Sequence, residues 1–141
     1  EYKEFADVCV QALQSRGLGD RLVIQSFDTR ALNYIHGRYP QLRLSYLTDK
    51  SDTDFDSFMA ELEFIPDWLS PHHSVVDEDL VQKCHDKGMK IVPWTVDDSD
   101  ELRRLIDLRV DAIITNYPDR LLKLTRGYAE PAPGPIPERT H

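Results

Sequence analysis

The chain has 141 residues, of which 40% are hydrophobic and 30% are charged, and this composition is typical of one globular domain rather than of a disordered or collagen-like chain. Its 25 acidic residues outnumber its 17 basic residues, and the formal net charge of -8 disfavours binding to nucleic acid or anionic lipid. No apolar stretch approaches the roughly 20 residues of a membrane-spanning helix. The two cysteines, Cys9 and Cys84, fall in amphipathic helical patterns, so a disulfide framework is not indicated.

Helical and strand patterns alternate along the chain. Apolar residues at helical spacing predict a first helix over residues 2–15, which Gly17 ends. Its predicted buried face consists of Phe5, Val8, Cys9, Ala12 and Leu13. The predicted strands cover residues 22–27, 42–47, 67–70, 90–96 and 111–116. The helices that follow them begin near Asp28, Phe55, Asp77, Asp98 and Pro118.

This alternation predicts a parallel sheet, because each parallel crossover needs a connection of about a dozen residues, which is usually a helix. The fold class is therefore α/β. Two architectures share the pattern, the doubly wound open sheet and the (βα)8 barrel, and local periodicity does not separate them.

An acidic segment partly matches a calcium-binding loop. Asp52, Asp54, Asp56 and Glu63 have the spacing of its carboxylate ligands, but Ser57 stands where the loop requires glycine. Helical spacing of apolar residues also begins inside the supposed loop. We therefore interpret the segment as the acidic N-terminus of a helix, favoured by the helix dipole.

Histidine and cysteine residues do not have the spacing of a metal site. His72 and His73 are adjacent, so on a strand they are predicted to point to opposite faces, with one of them free to face a cavity at the strand end. Cys84 and His85 are neighbours on a helix and lie about 100° apart, which favours packing of a buried thiol over a catalytic dyad.

Three residues near strand ends are candidates for a ligand site. Gln25 and Phe27 share one face of the first strand, so an amide and an aromatic ring lie towards its carboxyl end, where barrel active sites are built. Trp94 has the same relative place in strand 90–96. Core packing remains the alternative for both aromatic rings.

Four sequence words occur in an order and at a spacing typical of one enzyme family. Together they resemble the C-terminal part of a glycerophosphodiester phosphodiesterase, from about Leu22 to Leu122. The words are VIQSFD (23–28), ALNYIHGRYPQLRLSYL (31–47), LVQKCHDKGMKIVPWTVDD (80–98) and DAIITNYPDRLL (111–122).

This resemblance implies a (βα)8 barrel that hydrolyses glycerophosphodiesters to glycerol 3-phosphate and an alcohol with a divalent cation, calcium or magnesium. Residues 1–127 would then be its C-terminal five βα units, followed by a Pro-rich tail over residues 128–141. The resemblance assigns Gln25, Phe27 and Trp94 to the substrate cleft, with the aromatic rings forming a wall for the glycerol or alcohol moiety.

Two departures from the family pattern bear on activity. Asn116 stands where the family usually has Asp, a change that we expect to affect a turn more than catalysis. The family's catalytic histidines, in an H-R-G element and further downstream, and its E-N-T and E-x-K acidic elements do not occur in residues 1–141. We therefore expect no catalytic residue and no metal ligand in this chain, and no activity from the chain alone.

A preceding segment or another chain would complete the barrel and carry any targeting signal. The substrate is expected to be a small-molecule glycerophosphodiester. The alternative is that the chain is a non-catalytic half-barrel that serves as a scaffold or interaction module. A phosphatidylinositol-specific phospholipase is a further possibility that fits the tryptophan and terminal words less well.

Overall fold

The computed structural model describes residues 1–18, 22–50 and 54–126, and the predicted tail over residues 128–141 lies outside them. The helices are α1 (Tyr2–Gln14), α2 (Thr29–Arg38), α3 (Phe55–Ala60), α4 (Glu78–Asp86), α5 (Ser99–Asp107) and α6 (Pro118–Thr125). The strands are β1 (Val23–Ser26), β2 (Arg43–Thr48), β3 (Trp68–Pro71) and β4 (Lys90–Ile91). Within the described part of the chain, no helix has both the length and the apolar character needed to span a bilayer.

The four strands form one parallel sheet in the order β1-β2-β3-β4. Each strand therefore pairs with the next strand along the chain. In a doubly wound sheet the strand order reverses at the point where ligands bind, whereas in a (βα)8 barrel the strands follow one another around the axis. The sequential order decides between the two architectures and identifies a segment of a barrel.

The last two predicted strands are shorter than expected. β4 ends after Ile91 rather than at Val96, and residues 111–116 form no regular strand. These residues still lie beside β4, since the amide of Asp111 donates to the carbonyl of Ile91 (3.1 Å). The next bond of that parallel ladder would come from the N–H of residue 93, which proline lacks.

Helices cover the outer face of the sheet and bury its alternate residues. Leu44 and Tyr46 of β2, Leu69 of β3 and Ile91 are all buried there in one hydrophobic core. On the other face of β1, Val23 is 38% exposed. The core therefore lies between strands and helices, and the concave face of the sheet is left for a site.

The predicted buried face of α1 is wrong, since none of its five residues is buried. Ala6 and Val10 are buried, whereas Phe5 is 72% exposed and Val8 is 65% exposed. α1 packs on α2, and its face with Phe5 and Val8 has no cover among the described residues. Periodicity marks where apolar residues lie on a helix, but it does not tell which side of the helix a neighbour covers.

A carboxylate links α1 to α2. Asp7 accepts hydrogen bonds from the hydroxyl groups of Tyr34 and Tyr39, both at 2.8 Å, and pairs with Arg38 at 3.1 Å. These interactions, with the Tyr34 hydrogen bond the largest, hold the pKa of Asp7 below its usual value of 3.8. The ionised form therefore favours the folded state.

Replacement of this carboxylate is expected to change the pH dependence of stability. A pKa that is lower in the folded state adds stability above the unfolded value, and this stability is lost as pH falls through the folded value. Asp7→Asn should therefore be less stable than wild type at neutral pH, and the difference should shrink below about pH 4. Urea unfolding followed by circular dichroism measures it. Glu4→Gln in the same helix is the control, and a difference for Asp7→Asn that stays constant with pH would contradict the expectation.

Candidate functional site

Aspartate residues start four of the helices that follow strands. Each carboxylate accepts a hydrogen bond from a backbone N–H in the first turn of its helix, which is the usual role of an N-cap residue. The caps are Asp28, Asp54, Asp77 and Asp98. They fix the loops at the carboxyl ends of the strands, and Asp54 confirms that the acidic segment begins a helix. Asp52 lies outside the described residues.

Phe27 and Trp94 meet at the carboxyl end of the sheet. Their ring centroids are 6.1 Å apart and the rings are perpendicular (89°). β1 and β4 are separated by two strands, so in a flat sheet they would lie about 14 Å apart, at about 4.8 Å a strand. Curvature of the sheet, together with the length of the two side chains, brings the rings into contact.

Neither ring belongs to the hydrophobic core. Phe27 is 54% exposed, and Trp94 is half-buried. Trp94 is held by its indole N–H, which donates to the carbonyl of Ser70 (3.1 Å), and by its backbone N–H, which donates to the carbonyl of Pro71 (3.2 Å). A fixed tryptophan beside an exposed phenylalanine forms an apolar wall that is open to a ligand.

Gln25 lines a cavity on the concave face. The cavity has a volume of about 220 Å³. Its lining consists of Val23, Gln25, Ser45, Trp68, Ser70 and Val92. Gln25 precedes Phe27 by two residues, so an exposed amide lies on the same face of the chain, one step nearer the amino ends of the strands.

His72 joins the aromatic wall, and the expectation that it and His73 point to opposite faces is wrong. The two imidazole rings are 4.4 Å apart between centroids. β3 ends at Pro71 and a 3-10 turn begins at His73, so the alternation of a strand stops before the pair. His72 contacts Trp94 edge to face, with centroids 5.5 Å apart. The sequence offered one signal for this placement of His72: it follows Ser70 by two residues, which is the spacing of residues on the same face of a strand.

His73 is held in place by contacts with two residues of α5. Its Nδ1 lies 3.1 Å from a carboxylate oxygen of Glu101, and its carbonyl accepts a hydrogen bond from Arg104 (3.0 Å). Arg104 also pairs with Glu101, and this interaction is the largest cause of the lowered pKa of Glu101. The group joins α5 to the turn that follows β3, and thereby fixes the segment next to His72.

Cys84 and His85 have separate environments, which confirms that they form no dyad. Cys84 is fully buried, and burial raises the pKa of its thiol to about 12. His85 lies 2.9 Å from a carboxylate oxygen of Asp111, which also accepts the backbone N–H of Ile91 (2.8 Å). A thiol with so high a pKa is no nucleophile at neutral pH.

The described residues do not fit the divalent cation that the resemblance implies. Among residues 1–18, 22–50 and 54–126, no three histidine, cysteine, aspartate or glutamate side chains lie close enough together to hold a metal ion. Hard cations such as calcium and magnesium need several oxygen ligands. The chemistry at this wall is therefore that of aromatic rings, an amide and an imidazole.

Asn116 closes a turn beside the segment that follows Trp94. Its side-chain amide donates to one carboxylate oxygen of Asp97 (3.0 Å), and its backbone N–H donates to the other (2.9 Å). These two bonds are the largest causes of the lowered pKa of Asp97. The amide therefore pairs with a carboxylate that an aspartate at position 116 would repel.

Asn116→Asp is expected to destabilise the folded chain at neutral pH. The second carboxylate would raise the pKa of one of the pair above its unfolded value, so the loss of stability should disappear as pH falls below about 4. Thermal unfolding at a series of pH values measures it. Asn116→Ala removes the hydrogen bond without adding charge, so its deficit should vary less with pH. An Asn116→Asp variant as stable as wild type at neutral pH would contradict the expectation.

Relatives in sequence cover most of the chain. The sequence model of the glycerophosphoryl diester phosphodiesterase family matches residues 1–120. A glycerophosphodiester phosphodiesterase of Caldanaerobacter subterraneus subsp. tengcongensis is 27% identical over 125 residues, which are 89% of this chain and 51% of that protein. One of Bacillus subtilis is 26% identical over 110 residues, 77% of this chain and 38% of that protein. The chain thus spans about half or less of the length of these relatives.

Solved structures share the fold. A glycerophosphodiester phosphodiesterase of Parabacteroides distasonis has a TM-score of 0.77 at 28% identity, over 92% of this chain and 53% of that one. A phosphodiesterase of Oleispira antarctica, solved with the product sn-glycerol 3-phosphate, has a TM-score of 0.61 at 21% identity, over 74% and 42%. The barrel-type strand order and the extended family match agree, and the chain belongs to the glycerophosphoryl diester phosphodiesterase family.

Proposed function

We propose that this chain forms one side of the substrate cleft in a metal-dependent phosphodiesterase that hydrolyses glycerophosphodiesters to glycerol 3-phosphate and an alcohol. The observation that carries the proposal is the contact between Phe27 and Trp94 at the carboxyl end of the sheet. Barrel enzymes build their active sites at this end. Relatives that match most of the chain are named for this activity.

The three predicted cleft residues have complementary roles in this proposal. Phe27 and Trp94 pack against the C–H groups of the glycerol or the alcohol, and the amide of Gln25 hydrogen-bonds an oxygen of the substrate. In the reaction, a water oxygen forms a bond to phosphorus, the bond from phosphorus to the alcohol oxygen breaks, and a proton of the water ends on that oxygen. Cleft walls contribute by holding the phosphodiester in one orientation.

Groups that move the proton, and ligands for calcium or magnesium, are proposed to lie on the part of the barrel that completes this chain. Exposed apolar residues at the two edges support a completing segment. Phe5 and Val8 are exposed on α1, the helix that precedes β1, and Ile114, Tyr117 and Leu122 are exposed at the edge formed by residues 111–126. Exposed apolar groups at the ends of an open sheet are suited to cover by further barrel elements.

The proposal is tested by assaying the complete protein, which is this chain joined to the segment that completes its barrel. Glycerophosphocholine, glycerophosphoethanolamine and glycerophosphoglycerol are incubated with calcium or magnesium, and 31P NMR follows the reaction. Release of sn-glycerol 3-phosphate is expected. A folded complete protein that hydrolyses none of them with either metal would overturn the proposal and favour the scaffold alternative.

A further inference from the structure

One ring nitrogen of His72 is fixed by its neighbours. The backbone N–H of Ser74 donates to Nδ1 at 3.3 Å, and the Ser74 hydroxyl lies 2.8 Å from the same nitrogen. A nitrogen that accepts a backbone N–H carries no proton, so in the neutral ring the proton is on Nε2. The Ser74 contacts thus set the tautomer, and they leave Nε2–H as a donor on the other side of the ring.

The position of His72 places this donor beside the aromatic wall. His72 and Trp94 are partners in a parallel β-bridge, and their rings meet edge to face at 5.5 Å. The backbone N–H of His72 donates to the carbonyl of Thr48 (3.1 Å), so the main chain is also fixed. The same Trp94 ring meets Phe27 at 6.1 Å. His72 is therefore part of the wall that the proposed function assigns to the substrate.

Within the described ranges 1–18, 22–50 and 54–126, no protein group accepts a hydrogen bond from Nε2 of His72. The ring is half-buried, so a ligand that displaces water from the wall would leave this N–H without a partner unless the ligand supplies an acceptor. A polyol supplies both parts: its C–H groups pack on aromatic rings, and its hydroxyl oxygens accept hydrogen bonds.

We propose that His72 is a further substrate-binding residue, whose Nε2–H donates a hydrogen bond to a hydroxyl oxygen of a polyol in the glycerophosphodiester. This inference rests on the proposed phosphodiesterase function. The polyol is either the glycerol common to all substrates or a polyol head group such as a second glycerol. Ser74 acts as a positioning residue, since it orients the imidazole and does not reach the ligand itself.

The test compares variants of the complete protein by their KM and kcat. His72→Phe keeps an aromatic ring without the donor and should raise KM about tenfold, the loss of one neutral hydrogen bond, with kcat changed less than about twofold. His72→Gln returns an N–H near the position of Nε2 and should restore KM to within about threefold of wild type. Ser74→Ala should raise KM by a smaller factor.

A comparison of two substrates shows which polyol of the glycerophosphodiester His72 binds. If His72 binds the common glycerol, KM of His72→Phe rises for both glycerophosphocholine and glycerophosphoglycerol. If it binds the head group, KM rises for glycerophosphoglycerol alone, because choline has no hydroxyl once esterified. Either result supports the inference and names the source of the hydroxyl.

Other results would overturn it. An active wild-type protein with unchanged KM in His72→Phe rejects the role of His72 and leaves the proposed function standing. Equal losses in His72→Phe and His72→Gln, together with lowered thermal stability, assign the histidine a structural role only. A folded wild-type protein without activity rejects the proposed function and this inference with it.

Discussion

The 141-residue chain on its own is expected to release no sn-glycerol 3-phosphate from glycerophosphodiesters, with calcium or with magnesium. In the proposed function, Phe27, Trp94 and Gln25 would only orient a substrate, and the proposed sources of proton transfer and of metal ligands lie elsewhere in the barrel. Removing the catalytic groups of an enzyme lowers its rate by many powers of ten. Release of sn-glycerol 3-phosphate from each substrate, followed by 31P NMR with the purified chain, measures the expected result.

A chimeric protein tests this expectation more strictly. The chain is fused to the part of the Caldanaerobacter enzyme that the sequence match leaves uncovered, about half of that protein. Activity should appear in the fusion and be absent from each part alone. Phe5→Asp in the fusion is the matched control, since it puts a charge on the exposed apolar face of α1, outside the proposed cleft, and should weaken docking of the two halves. Robust hydrolysis by the unfused chain would contradict the expectation.

Trp94→Ala in the complete protein is expected to lower kcat/KM by about ten- to a hundredfold, mainly through KM. The indole ring contacts both Phe27 and His72, so its loss removes the centre of the wall. Loss of the apolar surface that the indole would bury against the substrate costs about 1.5–3 kcal/mol, which corresponds to a factor of this size. Steady-state kinetics with glycerophosphocholine and glycerophosphoglycerol measure the change.

Trp94→Phe is the matched control for this substitution. It keeps an aromatic ring in the wall, so kcat/KM should stay within about threefold of wild type. The remaining loss reflects the missing N–H, which in the wild type donates to the carbonyl of Ser70. Circular dichroism and urea unfolding establish that both variants are folded. A folded Trp94→Ala variant with wild-type KM would remove Trp94 from the proposed cleft.

Several local features were predicted correctly from the sequence because neighbouring residues alone decide them. Asp28, Asp77 and Asp98 begin helices in the positions expected, since an N-cap needs only a carboxylate and the next turn of backbone. The interpretation of Asp54 as the start of a helix holds for the same reason. The four sequence words indicated the family, and the match over residues 1–120 confirms it.

Other features depend on what lies across space. The apolar face of α1 was assigned to the core, yet Phe5 and Val8 are exposed because α2 covers a different face. The last predicted strand has no regular pairing because Pro93, about 20 residues earlier in the chain, cannot donate to it. Neither the neighbour of a helix nor the partner of a strand is encoded in local periodicity.

The sequence by itself determined the family, the alternation of helices and strands, and the two strand ends near which Gln25, Phe27 and Trp94 lie. The tertiary structure decided three further points: the sequential strand order, the contact between Phe27 and Trp94, and the entry of His72 into the same wall. The physical reason is that these contacts join residues on strands that are distant in sequence. Only the curvature of the paired sheet brings their side chains within reach, and no local pattern specifies that curvature.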